Sequence, residues 1–129
     1  MQICYVTELP TENHIYDLYE SLDWNSFLQL DRSKLLLAMK QSWYAIYAYH
    51  DHLLVGTGRI VSDGIINAYV CGLGIHPNYR SQGIGTAIFR LLVEQCKQSN
   101  LHVQFFCEDA LVPYYEKLNF KVFAVGMGE

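Results

Sequence analysis

The sequence predicts a single α/β domain: a mixed, mostly antiparallel sheet flanked by helices, with no room for a second domain within residues 1–129. Three observations lead there. The chain has 129 residues of which 51% are hydrophobic, enough for one core and too few for two. Apolar residues recur at helical spacing near the start and again from Ile84 to Cys96, whereas the stretch from Trp43 to Ile75 is rich in strand formers. The longest helical pattern stands between two strand patterns, the arrangement of a crossover connection. A domain of this size buries roughly two thirds of its unfolded surface, so it needs no disulfide or metal staple.

In chain order, Gln2 to Val6 read as a short first strand, closed by the Thr7-Glu8-Leu9-Pro10 turn. Ile15, Leu18, Tyr19 and Leu22 then mark one face of a helix, with Thr11 placed to cap it and Glu12 favourable beside its positive end. A break around Asp23-Trp24-Asn25 precedes a second helix, capped by Asp31 and striped by Leu35, Leu36 and Met39. Trp43 to Tyr49 and Leu53 to Val61 form a hairpin about His50-Asp51-His52, and Asp63-Gly64 turns the chain into the next antiparallel strand, Ile65 to Ile75. Gly83 opens the best helix, whose Ile84, Ala87, Ile88, Leu91, Leu92 and Cys96 share a face and whose end falls between Lys97 and Asn100. His102 to Cys107 alternates as a strand, Pro113 to Leu118 is a short helix, and Lys121 to Val125 is expected to be a last strand.

Charge and composition exclude several functions. A net charge of −4 disfavours a nucleic-acid backbone as partner, since that role needs a cationic face. Cys4, Cys71, Cys96 and Cys107 are scattered without a CxxC pair, and the histidines offer no HExxH pattern, so no metal is expected. The leading QICYVTELP lacks the features of a secretion signal and no apolar run reaches the 18 or so residues of a membrane span, so a cytoplasmic protein with no membrane partner is expected.

The segment richest in chemistry is Ile75-His76-Pro77-Asn78-Tyr79-Arg80-Ser81-Gln82-Gly83-Ile84-Gly85-Thr86, between the third hairpin strand and the long helix. Glycines at 83 and 85 let backbone N–H groups point outward at a helix start, where the dipole is positive and the amides lack intrahelical partners. Such a place binds a pyrophosphate; two glycines that merely permit close helix packing are the plainer reading. A dinucleotide fingerprint is disfavoured, because Gly72-Leu73-Gly74-Ile75-His76-Pro77 puts proline where the third glycine belongs.

The R-x-x-G-x-G run of Arg80 to Gly85 resembles the acetyl-CoA motif of the GNAT superfamily of N-acetyltransferases. Tyr114-Tyr115-Glu116-Lys117-Leu118-Asn119-Phe120 resembles that family's FYEKLGF, and the element order is similar along nearly the whole chain. The resemblance implies a GNAT-type sheet, splayed where the Gly72 to Ile75 strand meets the strand from His102. It implies that Arg80, Ser81, Gln82, Gly83, Ile84, Gly85 and Thr86 hold the pyrophosphate of acetyl-CoA. It also implies that Leu73, Gly74 and Ile75 lie beside pantetheine, which extends the unpaired strand edge. Tyr115 matches the tyrosine that protonates the departing thiolate, with packing on the helix face of Leu111 and Leu118 as its alternative. The implied reaction is direct attack of a primary amine, on a small molecule or a peptide, upon acetyl-CoA in a ternary complex.

Three departures stand out. Many family members carry Glu or Asp where this chain has Gly72, so the general base is unassigned, and Glu20, Asp23, Glu108 and Asp109 are each expected to be surface carboxylates. This keeps open a rival reading, an acyl-CoA-binding module without catalysis. Cys71 and Cys107 have no activating histidine in view, which favours the direct mechanism over an acylated thiol. Asn119 replaces the family's glycine, and the short run after Val125 makes the seventh strand short or missing, leaving an open edge or a surface for a homodimer. Trp24, Trp43 and the N-terminal tyrosines are available to line an aromatic acceptor pocket or to pack the core.

Overall fold

The computed structural model describes all residues from Met1 to Glu129. Its elements are β1 (Cys4–Val6), α1 (Glu12–Ser21), α2 (Asn25–Leu28), α3 (Arg32–Lys40), β2 (Tyr44–His50), β3 (Leu53–Ser62), β4 (Asn67–Ile75), α4 (Ile84–Gln98), β5 (His102–Gln104) and α5 (Val112–Glu116). The five strands form one sheet in the order β1-β2-β3-β4-β5, antiparallel except for the β4–β5 pair. That one parallel pair is the pair joined by the crossover helix α4, as the sequence pattern requires.

Local chemistry sets the boundaries. Thr11 caps α1 by accepting from the His14 amide at 3.3 Å, and Asp31 caps α3 by accepting from the Lys34 amide at 2.9 Å. The Asp63 carboxylate accepts from the amides of Ile65 and Ile66, both at 2.8 Å, which holds those residues in the turn and delays β4 until Asn67. The expected strand therefore loses its first two residues to the turn.

Helices cover both faces of the sheet. On one side α4 lays Ile84, Ile88, Phe89, Leu92 and Cys96 on Ile46, Val55, Ile60 and Val70, and on the other α1 and α3 pack Ile15, Leu18, Leu35 and Met39 around Tyr47 and Leu54. Ile88 and Leu92 are fully buried, and truncating either to alanine would destabilise the fold by about 2–5 kcal/mol. No helix is long and apolar enough to cross a membrane.

Two expected strands need correction. The strand from His102 keeps regular pairing only to Gln104 and not to Cys107, and Lys121 to Val125 forms no strand. The second follows from the first: with β5 ended, there is no ladder for a sixth strand to join, and residues 121–129 are exposed. The break around Asp23 also contains the short helix α2, which no periodicity in the sequence signals; the buried Asn25 side chain closes it by accepting from the Leu30 amide and donating to the Leu30 carbonyl.

Candidate functional site

The site begins with a gap in the sheet. β4 pairs with β5 only from Asn67 to Tyr69, yet β4 continues to Ile75, so its later residues have no neighbour on that edge. The space beside them is a cavity of about 430 Å³, lined among others by Leu73, Ile75, Arg80, Gly83, Thr86 and Tyr115. Ser81, Ile84 and Gly85 complete the wall on the α4 side.

The sequence folds this way for local reasons. Gly83, just before α4, has φ +84°, a left-handed conformation that a side chain would strain, and a Cβ added there would project into open space. The first intrahelical bond runs from the Ala87 amide to the Gly83 carbonyl at 3.0 Å, which leaves the amides of Ile84, Gly85 and Thr86 without helical partners. Arg80 donates from Nε to the Ile75 carbonyl at 3.2 Å, tying the loop to the end of β4. Tyr79 also lines the cavity and is held by His50, whose Nδ1 is 2.7 Å from the phenol oxygen.

Tyr115 reaches the cavity from α5. Its ring is half-buried, with centroids 4.6 Å from Phe105 and 5.2 Å from Phe89, and burial, reinforced by Tyr114 and Cys107, pushes its phenol above the ordinary 10.0. Its neighbour Tyr114 is hydrogen-bonded to the Thr86 hydroxyl, joining α5 to the first turn of α4 across the cavity mouth. Tyr79 and Tyr114 are not among the expected site residues, although both lie within the two motif segments, Ile75 to Thr86 and Tyr114 to Phe120, that the sequence singles out.

Two expected residues are not part of the side-chain lining. Gly74 faces the opposite side of β4, where an added Cβ would lie 2.5 Å from the Trp24 ring and 2.6 Å from Leu22, and Gln82 is exposed outside the cavity lining. Trp24 and Trp43 do not meet: Trp24 packs with α1 and α3, whereas Trp43 packs on the α4 side beside the Gly64 turn. Glu20, Asp23, Glu108 and Asp109 are all exposed. Gly72 has φ +62° and sits with Leu73 in a bulge, out of register with β3. The backbone there favours glycine, which is a physical reason for the missing carboxylate.

Comparison with known proteins matches residues 5–120 to the Acetyltransferase (GNAT) family. The chain belongs to the GNAT family. An uncharacterized N-acetyltransferase, ycf52, of the red alga Pyropia yezoensis is 28% identical over 112 residues, covering 83% of this chain and 64% of the relative. The histone acetyltransferase TAP1 of Glycine max is 27% identical over 120 residues, covering 83% of this chain and 52% of the relative. The chain thus spans between about half and two thirds of the length of these curated relatives. In fold it is similar to a probable acetyltransferase of Staphylococcus aureus, with TM-score 0.83 at 16% identity over 99% of this chain and 98% of the other. A GNAT family protein of Streptococcus pneumoniae gives TM-score 0.77 at 21% identity, covering 99% and 97%. The family and fold class expected from the sequence are the ones found.

Proposed function

We propose that this GNAT chain moves an acetyl group from acetyl-CoA to a primary amine by direct attack in a ternary complex, with the cytoplasm as its setting. The observation that carries the reading is the meeting, around one cavity, of the unpaired edge of β4, the free amides of α4 and the Tyr115 phenol. On this reading the amides from Gln82 to Thr86, with Arg80 and Ser81, hold the pyrophosphate. Pantetheine lies along Leu73 to Ile75, taking the place of a neighbouring strand, with Gly74 contributing backbone only.

In the reaction the neutral amine nitrogen attacks the thioester carbonyl carbon. As the C–N bond forms, negative charge gathers on the carbonyl oxygen against a backbone N–H near Leu73. The C–S bond then breaks, the thiolate takes the proton of Tyr115 Oη, and water that has taken up the amine's proton returns one to the phenolate. Because Gly72 offers no carboxylate, the proton leaves the amine through water. The acceptor is an amine on a small molecule or a peptide; the name of the soybean relative, a histone acetyltransferase, supports that class. A homodimer would cover the exposed apolar side chains of Val122, Phe123, Val125 and Met127.

The rival, a binding module without catalysis, is favoured by Gly72 alone. Thiol release from acetyl-CoA with a panel of amines separates the two, since the rival predicts none. The cofactor site is tested by calorimetry on Gly83→Val, whose side chain would enter the space assigned to phosphate. CoA affinity is expected to fall by about 2 kcal/mol, roughly 30-fold. Unchanged affinity with the fold intact would remove the site assignment.

A further inference from the structure

Arg59 is the single charged residue in the ten-residue strand β3. It pairs in register with Ala45 and Cys71, on the face of the sheet covered by α1 and α3. A carbon at the Cβ position of Gly72 would lie 3.4 Å from Arg59 Nε and 3.6 Å from Tyr19 Oη, so the guanidinium and the phenol flank the same gap over the β4 bulge. That gap lies on the α1 face of β4, whereas the next residue, Leu73, packs on the α4 side and lines the cavity from there.

The Arg59 charge is unanswered. The only ion pair in the chain joins His50 to Asp51, and Arg59 has no carboxylate partner: it makes a long hydrogen bond from Nη1 to Ser42 Oγ at 3.5 Å and otherwise interacts with the neutral Tyr19 phenol. Its Nε is buried without a partner, and so is the hydroxyl of Thr57, two residues earlier on the same face. No other buried side-chain nitrogen or oxygen lacks a partner. The groups that feel the guanidinium are Tyr19, Tyr47, Tyr69 and Cys71, weak acids that burial keeps neutral. A guanidinium cannot shed its proton, and buried polar groups are normally satisfied. An anion delivered by a ligand answers both facts, and a carboxylate or phosphate matches the planar fork with two parallel hydrogen bonds.

We propose that Arg59, with Tyr19 beside it, anchors an anionic group on the amine acceptor, a carboxylate or a phosphate carried by the same molecule as the reacting nitrogen. The inference rests on the acetyl-transfer reading and names its acceptor class. An amine whose anion lies against Arg59 over Gly72 approaches from the α1 face of β4, one residue from the Leu73 edge along which the pantetheine is assigned.

Two matched pairs of ligands test this by calorimetry on protein saturated with CoA: β-alanine against propylamine, and O-phosphoethanolamine against ethanolamine. At least one of the two members that carry an acid group should bind about tenfold or more tightly than the amine that lacks it, and the two pairs tell carboxylate from phosphate. Arg59→Gln should abolish that preference and Arg59→Lys should keep part of it, with CoA affinity unchanged in both variants as a check on the fold. Equal binding within both pairs, or a preference that survives Arg59→Gln, overturns the assignment. Absence of CoA binding by the wild-type chain would instead overturn the acetyl-transfer reading and the anchor with it.

Discussion

Tyr115 keeps its proton because burial among Phe89, Phe105 and Tyr114 opposes the phenolate. A raised pKa makes it a weaker acid at rest, so in the proposed reaction it donates only as charge develops on the departing sulfur, whose parent thiol resembles a cysteine thiol of pKa about 8.5. Tyr115→Phe preserves the ring contacts and removes only the donor, so kcat should fall roughly 10²-fold while the acetyl-CoA Kd and the melting temperature move little. Turnover equal to wild type in the Phe variant would leave Tyr115 a packing residue. Gly72 carries the opposite lesson. The left-handed backbone of the bulge favours a residue without a side chain, and the position where the family resemblance leads one to expect a carboxylate is a gap bordered by Arg59. Arg59 is legible as a lone charge inside the apolar run Leu53 to Ser62, but sequence alone does not say that it lacks a carboxylate partner.

At the scale of elements, the site is a mismatch of lengths: β4 outruns its pairing with β5, and the cavity occupies the difference. The helix layer is fitted to the other face of β4 through Gly74, where the Trp24 ring and Leu22 fill the space of a side chain. Gly74→Ala should therefore push α1 and the turn at Trp24 off the strand, lowering stability by about 1–3 kcal/mol. Thermal melts would record that loss, while CoA titration should find the affinity nearly unchanged because the clash lies across the strand from the cavity. A stable Gly74→Ala protein would mean that Trp24 is free to move aside. Most elements are legible in the sequence because their signals are local: the caps at Thr11 and Asp31, the turn at Asp63-Gly64 and the apolar face of α4 are set by neighbouring residues. What the sequence hides depends on pairing at a distance. Phe105 to Cys107 and Lys121 to Val125 are strand-like in composition, but a strand needs a partner, and one early termination removes both. In the candidate site, the loop proposed to hold the phosphates is readable because it is contiguous. The approach of Arg59 and Tyr19 to the gap over Gly72 is not, because it joins residues from three elements.

For the molecule as a whole, the proton balance of the proposed reaction links the acidic surface to the neutral interior of the site. The four exposed carboxylates Glu20, Asp23, Glu108 and Asp109 add to a net charge of −4 that favours the protonated ammonium of an approaching acceptor. Only the neutral amine attacks, so kcat/KM should rise with pH in step with the deprotonated fraction of whichever acceptor is used. The sign at the other end is set by Tyr115: its folded pKa lies above the usual phenol value, the acid form is the working form, and activity is retained through neutral pH and lost only as pH climbs through that raised value. Salt should move the acidic limb slightly toward lower pH, since screening weakens the surface field that holds the ammonium. The profile is to be measured with acceptors of different amine pKa at fixed ionic strength. An acidic limb that follows the acceptor agrees with proton loss to water. A limb that stays at one pH for every acceptor requires an ionising group of the protein, and single neutralising substitutions at those four carboxylates would then identify it.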